Sequence, residues 1–245
     1  MQLRLTIEYD GTAYQGWQLQ PGGPTVQAAL ERALATALRE PVRVRSAGRT
    51  DAGVHACGQV AAARVHAAPP DLARLQKSLN ALLPDDVAVR EVALVDDRFD
   101  PRRDARSRVY EYRIWNAAAR SPFWRRWAWH VPAGLDAAAM ASAAACLVGE
   151  HDFATFRGAG GAPVRSTVRR VLESSVTASG ALLVYRVEAT AYLRQMVRSI
   201  VGTLVEIGRG GRPAAAMAEI LTACDRTRAG ATAPPHGLVL VAVRY

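Results

Sequence analysis

The first ninety-five residues switch repeatedly between a hydrophobic period of two and one of about 3.6, and this succession leaves few folds open. Leu3, Leu5, Ile7 and Tyr9 alternate with Gln2, Arg4, Thr6 and Glu8, the pattern of a half-buried strand. Thr25 is a candidate N-cap for a helix carrying Val26, Leu30, Ala33, Leu34, Ala37 and Leu38 at helical spacing. Two short β-like runs follow at residues 42–45 and 59–65. Asp71 opens a second helix, with Leu72, Leu75, Leu79, Leu82 and Leu83 on one face and Pro84 as its stop. Residues 87–95 then read as a strand. The order β-α-β-β-α-β is the split ferredoxin-like arrangement, in which helices cover one face of an antiparallel sheet. The other face stays open, and RNA-recognition domains of this topology use it.

Residues 96–106 are charged, contain proline and lack large aliphatics, so the sequence predicts two domains, 1–104 and 105–245. Beyond the junction, residues 108–115 form a strand with Tyr110, Tyr112 and Ile114 on one face, and the aromatic-rich residues 123–130 read as another. An Ala-rich helix spans 135–148. Residues 158–163 form a loop with neither the Gly-Lys-Ser/Thr ending of a phosphate loop nor a dinucleotide fingerprint. Residues 167–177 and 181–191 make a hairpin around Ser179-Gly180. A strongly amphipathic helix covers 193–208, a further helix 213–224, and a closing strand 238–243. The second half thus echoes the first in its elements, and the fold class is mixed α/β, α+β in the arrangement of its elements.

Chemistry concentrates in Ala47-Gly48-Arg49-Thr50-Asp51-Ala52-Gly53-Val54-His55-Ala56, between two of the strands. Two glycines bracket a single carboxylate, and a loop fixed by a sheet is a usual place for reactive groups. Arg49 stands two residues before Asp51, near enough to serve the same substrate or to pair with it in a surface turn. The loop carrying Tyr14, Trp17, Gln18 and Gln20 suits a nucleic-acid surface, and core anchoring by Trp17 is the other reading. Arg194 and Arg198 fall in the first turns of the 193–208 helix, where the backbone dipole disfavours cations by roughly 0.3–1 kcal/mol. Two such residues call for an anion, either a carboxylate such as Asp51 or an RNA phosphate.

Composition narrows the partner. A formal net charge of +9 and a pI near 10.2 point to an acidic one: RNA, DNA or an anionic membrane. Half the residues are hydrophobic, which excludes a disordered chain. Cys57, Cys146 and Cys224 are far apart and read as reduced thiols, and the scattered histidines have no metal-ligand spacing, so no metal is expected. The longest apolar run, 137–148, is too short to span a bilayer, and Met1 leads straight into a strand with no signal peptide. A soluble, cytoplasmic protein is expected.

The loop, together with Gln59, Arg108-Val109-Tyr110-Glu111-Tyr112 and Met196-Val197-Arg198-Ser199-Ile200-Val201-Gly202, resembles the tRNA pseudouridine synthase A family. The similarity extends from Ile7-Glu8-Tyr9-Asp10-Gly11 through Gly149-Glu150-His151-Asp152-Phe153 to Gly237-Leu238-Val239-Leu240. Phe99-Asp100-Pro101-Arg102 departs from the family's frequent Phe-His-Ala-Arg, Arg194-Gln195 from a commonly His-containing pair, and Ser199 from an Asn. The resemblance implies the pseudouridine synthase fold, two ferredoxin-like halves with largely antiparallel sheets around a central RNA-binding cleft. It also implies isomerisation of uridine to pseudouridine at positions 38, 39 and 40 of the tRNA anticodon stem-loop, by a homodimer that needs no cofactor. By the same resemblance Asp51 is the nucleophile, with attack at C1′, attack at C6 and a glycal route all open to it. Tyr110 would stack on the uracil or take its C5 proton. Arg198 matches the family's basic partner of the carboxylate, and Arg49 the loop arginine that fills the flipped base's place or holds its phosphate.

Overall fold

A computed structural model describes residues 1–160 and 164–245. The chain divides into two compact units, Met1–Arg106 with Val239–Tyr245, and Ser107–Leu238. The break falls two residues beyond the expected 104/105 junction. The closing strand, expected in the second half, groups with the first unit.

In the first unit β1 (Gln2–Tyr9), α1 (Val26–Leu38), β2 (Val44–Ser46), β3 (His55–Arg64), α2 (Leu72–Leu82) and β4 (Val87–Val95) follow in the expected order. β1 lies antiparallel between β3 and β4, with Leu5 opposite Ala61 on one side and Val92 on the other. The free edge of β3 is shared. β2 pairs with it at Ala61–Ala63, and β10 (Leu238–Arg244) runs parallel to its start, with Val239 opposite His55 and Leu240 opposite Ala56. The order β4-β1-β3-β2 is the ferredoxin-like one.

The pattern of burial follows the pattern of sequence. Leu3, Leu5 and Ile7 are fully buried, as are Leu30, Leu34 and Leu79 from the two helices. Leu82, expected on the same face, is exposed, because it stands in the last turn of α2 where the helix ends. Thr25 caps α1 by accepting from the Ala28 amide, and Asp71 caps α2 by accepting from Arg74. Such caps each contribute about 1 kcal/mol.

The second unit holds β5 (Ser107–Trp115), β6 (Trp129–His130), α3 (Ala137–Ala145), β7 (Gly149–Asp152), β8 (Val168–Ser179), β9 (Leu182–Ala189), α4 (Met196–Gly208) and α5 (Ala216–Thr222). β9 lies antiparallel between β5 and β8, and β7 adds to the far edge of β8. Two expectations fail here. Of the aromatic run 123–130, only Trp129–His130 is strand, and residues 122–127 are turns in which the Trp127 and Ala128 amides both donate to Trp124 O at 2.9 Å. A high β-propensity does not form a strand where the backbone bonds locally. The 193–208 helix begins only at Met196, because Gln195 sits in the left-handed region with φ of 57°. Arg194 therefore precedes the helix, and its guanidinium donates to Ala159 O at 2.7 Å. Of the 158–163 loop, residues 161–163 lie outside the described residues.

Candidate active site

The loop bearing Asp51 is held from below by the segment that follows β1. Thr50, nearly buried, shares a 2.7 Å hydrogen bond with the Tyr9 hydroxyl, and its carbonyl accepts from the Trp17 amide at 3.1 Å. The Gly53 amide donates to Tyr14 O at 3.3 Å, and Gln59, fully buried, donates to Gly48 O at 2.8 Å. Val54 N–H closes the turn onto Asp51 O at 3.1 Å. The approach is so close at Gly16 (φ 92°) that an added Cβ would lie 2.6 Å from Thr50 O. Tyr14 and Trp17 are buried anchors of this clamp, at 7% and 2% exposure, so the core reading of Trp17 is the correct one. Of the two bracketing glycines only Gly53 (φ 76°) needs its residue type for its backbone conformation. A side chain at Gly48 would meet open space.

Alternation along the loop decides what each side chain faces. Thr50 points into the clamp, Arg49 is exposed, and Asp51 is half-buried. His55, where the loop enters β3, is buried, and its Nδ1 accepts from the Gly11 amide at 3.0 Å. Asp10 Oδ1 stands 3.1 Å from the same nitrogen. With Nδ1 as the acceptor of the bond from Gly11, the ring holds the Asp10-Gly11 turn. Burial pushes the Tyr9 phenol up to about 12, against smaller opposing effects of its hydrogen bonds to Thr50 and Gln59. Burial, then the hydrogen bond to Asp86, pushes Tyr14 up as well.

The second unit holds the other expected residues. Tyr110, in the middle of β5, is almost covered, and its ring meets Tyr192 edge to face with centroids 4.9 Å apart. Tyr192 is fixed in turn, its hydroxyl lying 2.8 Å from Arg108 O and 3.1 Å from Val187 O. Burial, then the neighbouring Tyr110 and Tyr185, push its phenol well up. Sequence reading missed Tyr192 as the support of Tyr110, and no local pattern marks it. Arg198, on the first turn of α4, donates from Nε to Ala233 O at 2.8 Å, while its own carbonyl accepts from the Ala233 amide at 3.1 Å. Tyr112 reaches the same segment, donating to Pro234 O at 2.8 Å. Burial raises the Tyr112 phenol, and the Arg198 charge pulls it partly back. Asp51 and Arg49 thus belong to one unit, and Tyr110 and Arg198 to the other.

Among the described residues no three His, Cys, Asp or Glu side chains gather as metal ligands, and no helix is long and apolar enough to cross a membrane. The family model described as tRNA pseudouridine synthase matches residues 5–102 and 143–245, which include Arg49, Asp51 and Arg198. Three curated relatives, each named tRNA pseudouridine synthase A, align along nearly all of the chain. That of Geotalea uraniireducens is 48% identical over 244 residues, covering 100% of this chain and 99% of its own. That of Myxococcus xanthus is 50% identical over 244 residues, covering 99% and 91%. That of Geobacter sulfurreducens is 47% identical over 243 residues, covering 99% of each.

Proposed function

The chain belongs to the tRNA pseudouridine synthase family, and from that premise we propose that it isomerises uridine to pseudouridine at positions 38, 39 and 40 of the tRNA anticodon stem-loop, with Asp51 as nucleophile. The observation that carries this reading is the clamp. A half-buried carboxylate stands on a loop whose backbone is bonded at Gly48, Thr50, Gly53 and Val54, so its carboxyl is aimed at little entropic cost.

The reaction breaks the C1′–N1 glycosidic bond, turns the uracil within the pocket and joins C5 to C1′. The C5 proton leaves, and a proton returns to N1. No electrons enter or leave, so the isomerisation itself calls for neither a redox cofactor nor ATP. A carboxylate nucleophile divides the exchange into two easier steps. The target base must leave its stack to reach Asp51. Arg49, exposed beside it, is suited to hold the displaced nucleotide's phosphate. Tyr110 supplies a ring for the detached uracil and a hydroxyl for its C5 proton. Arg198, whose Nε donates to Ala233 O, is taken from the family match as the basic partner of Asp51. In this reading the protein acts in the cytoplasm as a homodimer.

The test is incubation with unmodified tRNA carrying tritium at uridine C5. Release of tritium, unaffected by EDTA and mapped to positions 38–40, is the expected result. Binding without release would leave an RNA-binding protein and overturn the proposal.

A further inference from the structure

One cleft of the second unit takes no part in the chemistry above. It encloses about 490 Å³, within the range of about 300–1,000 Å³ usual for ligand pockets, and its walls include Trp115, Trp124, Arg120, Arg125, His130 and His236. The parallel pairing of β5 with β6 sets Trp115 beside His130. The turns that replace the expected strand then carry Trp124 back over them. The two indoles lie near-parallel, 19° between planes and 6.3 Å between centroids.

Two polar edges of this cleft have a definite orientation. Trp115 donates its Nε1–H to Ala119 O at 3.0 Å, so it has no N–H left for a ligand and can offer its ring face. His130 Nε2 meets Ala117 O at 2.9 Å. A carbonyl only accepts, so the proton lies on Nε2, and Nδ1 of the neutral ring is an acceptor. Arg120 and Arg125 are exposed at the rim, and Arg126 is exposed beside them. A purely apolar guest has no use for the guanidinium groups, and a bare phosphate has none for the indoles. A flat π-system joined to a phosphate uses both, and that combination is a nucleotide.

We infer that this cleft is a second nucleotide-binding site, lined by none of the residues assigned to the isomerisation. It takes an unpaired base of the RNA substrate against Trp115 and Trp124, with the phosphate on Arg120 and Arg125. The inference rests on the tRNA reading for the source of the nucleotide. A free mononucleotide has the same chemistry, but the arginines spread along an exposed turn suit a continuing phosphate backbone better than one phosphate.

The experiment measures tRNA affinity across a salt series for the wild type, Trp124→Ala, Trp124→Phe and the double variant Arg120→Gln/Arg125→Gln. UMP and AMP binding is followed by tryptophan fluorescence, and tritium release is measured on the same tRNA. Trp124→Ala should weaken tRNA binding by about 5- to 150-fold, the loss of one stacked base, while Trp124→Phe retains most of it. The double arginine variant should reduce the slope of log K against log salt by about 1.4–1.8, at roughly 0.7–0.9 per phosphate contact. Both arginines are exposed, so this variant decides the matter if Trp124→Ala fails to fold. Unchanged affinity and slope in an enzyme that releases tritium would overturn the inference. So would loss of UMP or AMP binding with tRNA affinity intact, which would make the cleft a mononucleotide site. Loss of RNA affinity in these variants, in a protein that releases no tritium, would support the cleft and overturn the isomerase reading alone.

Discussion

Asp51 owes its position to residues far from it in the chain. Tyr9 meets Thr50 across 41 positions, and Tyr14 and Trp17 bind the loop backbone on either side of the carboxylate. Because that frame does not depend on the charge of Asp51, Asp51→Asn should fold, bind tRNA and form no pseudouridine. Tritium release above a few per cent of wild type would refute the nucleophile assignment. Tyr9 offers a second test. Its phenol is neutral in both states below pH 10, ionises near 10 when unfolded and near 12 when folded. Its stabilisation is therefore whole below pH 10 and falls as the pH rises from 10 to 12, by about 1.4 kcal/mol per pH unit. Tyr14, Tyr112, Tyr185 and Tyr192 are also pushed up, so the alkaline loss should be steep. Tyr9→Phe should remove one proton's share of that slope, and cost about 1 kcal/mol at neutral pH through the lost bond to Thr50. Urea unfolding at pH 7 and across 10–12 measures both, and an unchanged slope would count against the buried phenol. The alternation of β1 told that Tyr9 points inward. It carried no information about which hydroxyl waits there, because that depends on strand register.

At the scale of elements, the close fit between the Asp51 loop and the segment after β1 is the sensitive joint. Gly16→Ala would bring a methyl group to 2.6 Å from Thr50 O on a backbone with φ of 92°. A loss of about 1–3 kcal/mol is expected, with turnover falling more than tRNA affinity as Asp51 is displaced. A melting temperature within a degree or two of wild type would show that the joint has slack. Arg198 is held differently, by one side-chain bond and one backbone bond to Ala233 at the start of α4. Arg198→Ala should cut turnover strongly, and Arg198→Lys should restore it only in part, since an ammonium lacks both the Nε–H that meets Ala233 and the planar fork. If Arg198 instead serves an RNA phosphate, affinity and its salt slope will fall and lysine will substitute well. Both caps of the first two helices were legible from Thr25 and Asp71. The start of α4 was not, because apolar spacing continues through Leu193 while a left-handed Gln195 breaks the backbone. The turns at 122–127 were hidden for a related reason. Aromatic content signals burial in a strand, yet Phe123 is 88% exposed and Trp124 folds back over Trp115.

For the whole molecule, a net charge of +9 carried by arginines, with Lys77 the only lysine, should make tRNA affinity fall steeply with salt. Each phosphate contact adds about 0.7–0.9 to the slope of log K against log salt, and a flat response would count against tRNA. The β-α-β-β-α-β order of the first unit could be read directly from hydrophobic period. The return of the closing strand to that unit could not, since a parallel pairing of Val239 with His55 has no local signature. That return has a consequence for the order of events during synthesis. A nascent chain that has emerged through Arg106 holds all of the Asp51 loop, but the edge of β3 at His55 and Ala56 still lacks its strand. Its partner emerges only after all of residues 107–238. The reactive loop is thus among the first parts made, while the strand that secures its exit comes after the whole of the second unit. An amino-terminal fragment ending near Arg106 should leave that edge open to pairing with other chains, and an active enzyme should form only once Val239 and Leu240 have taken their places.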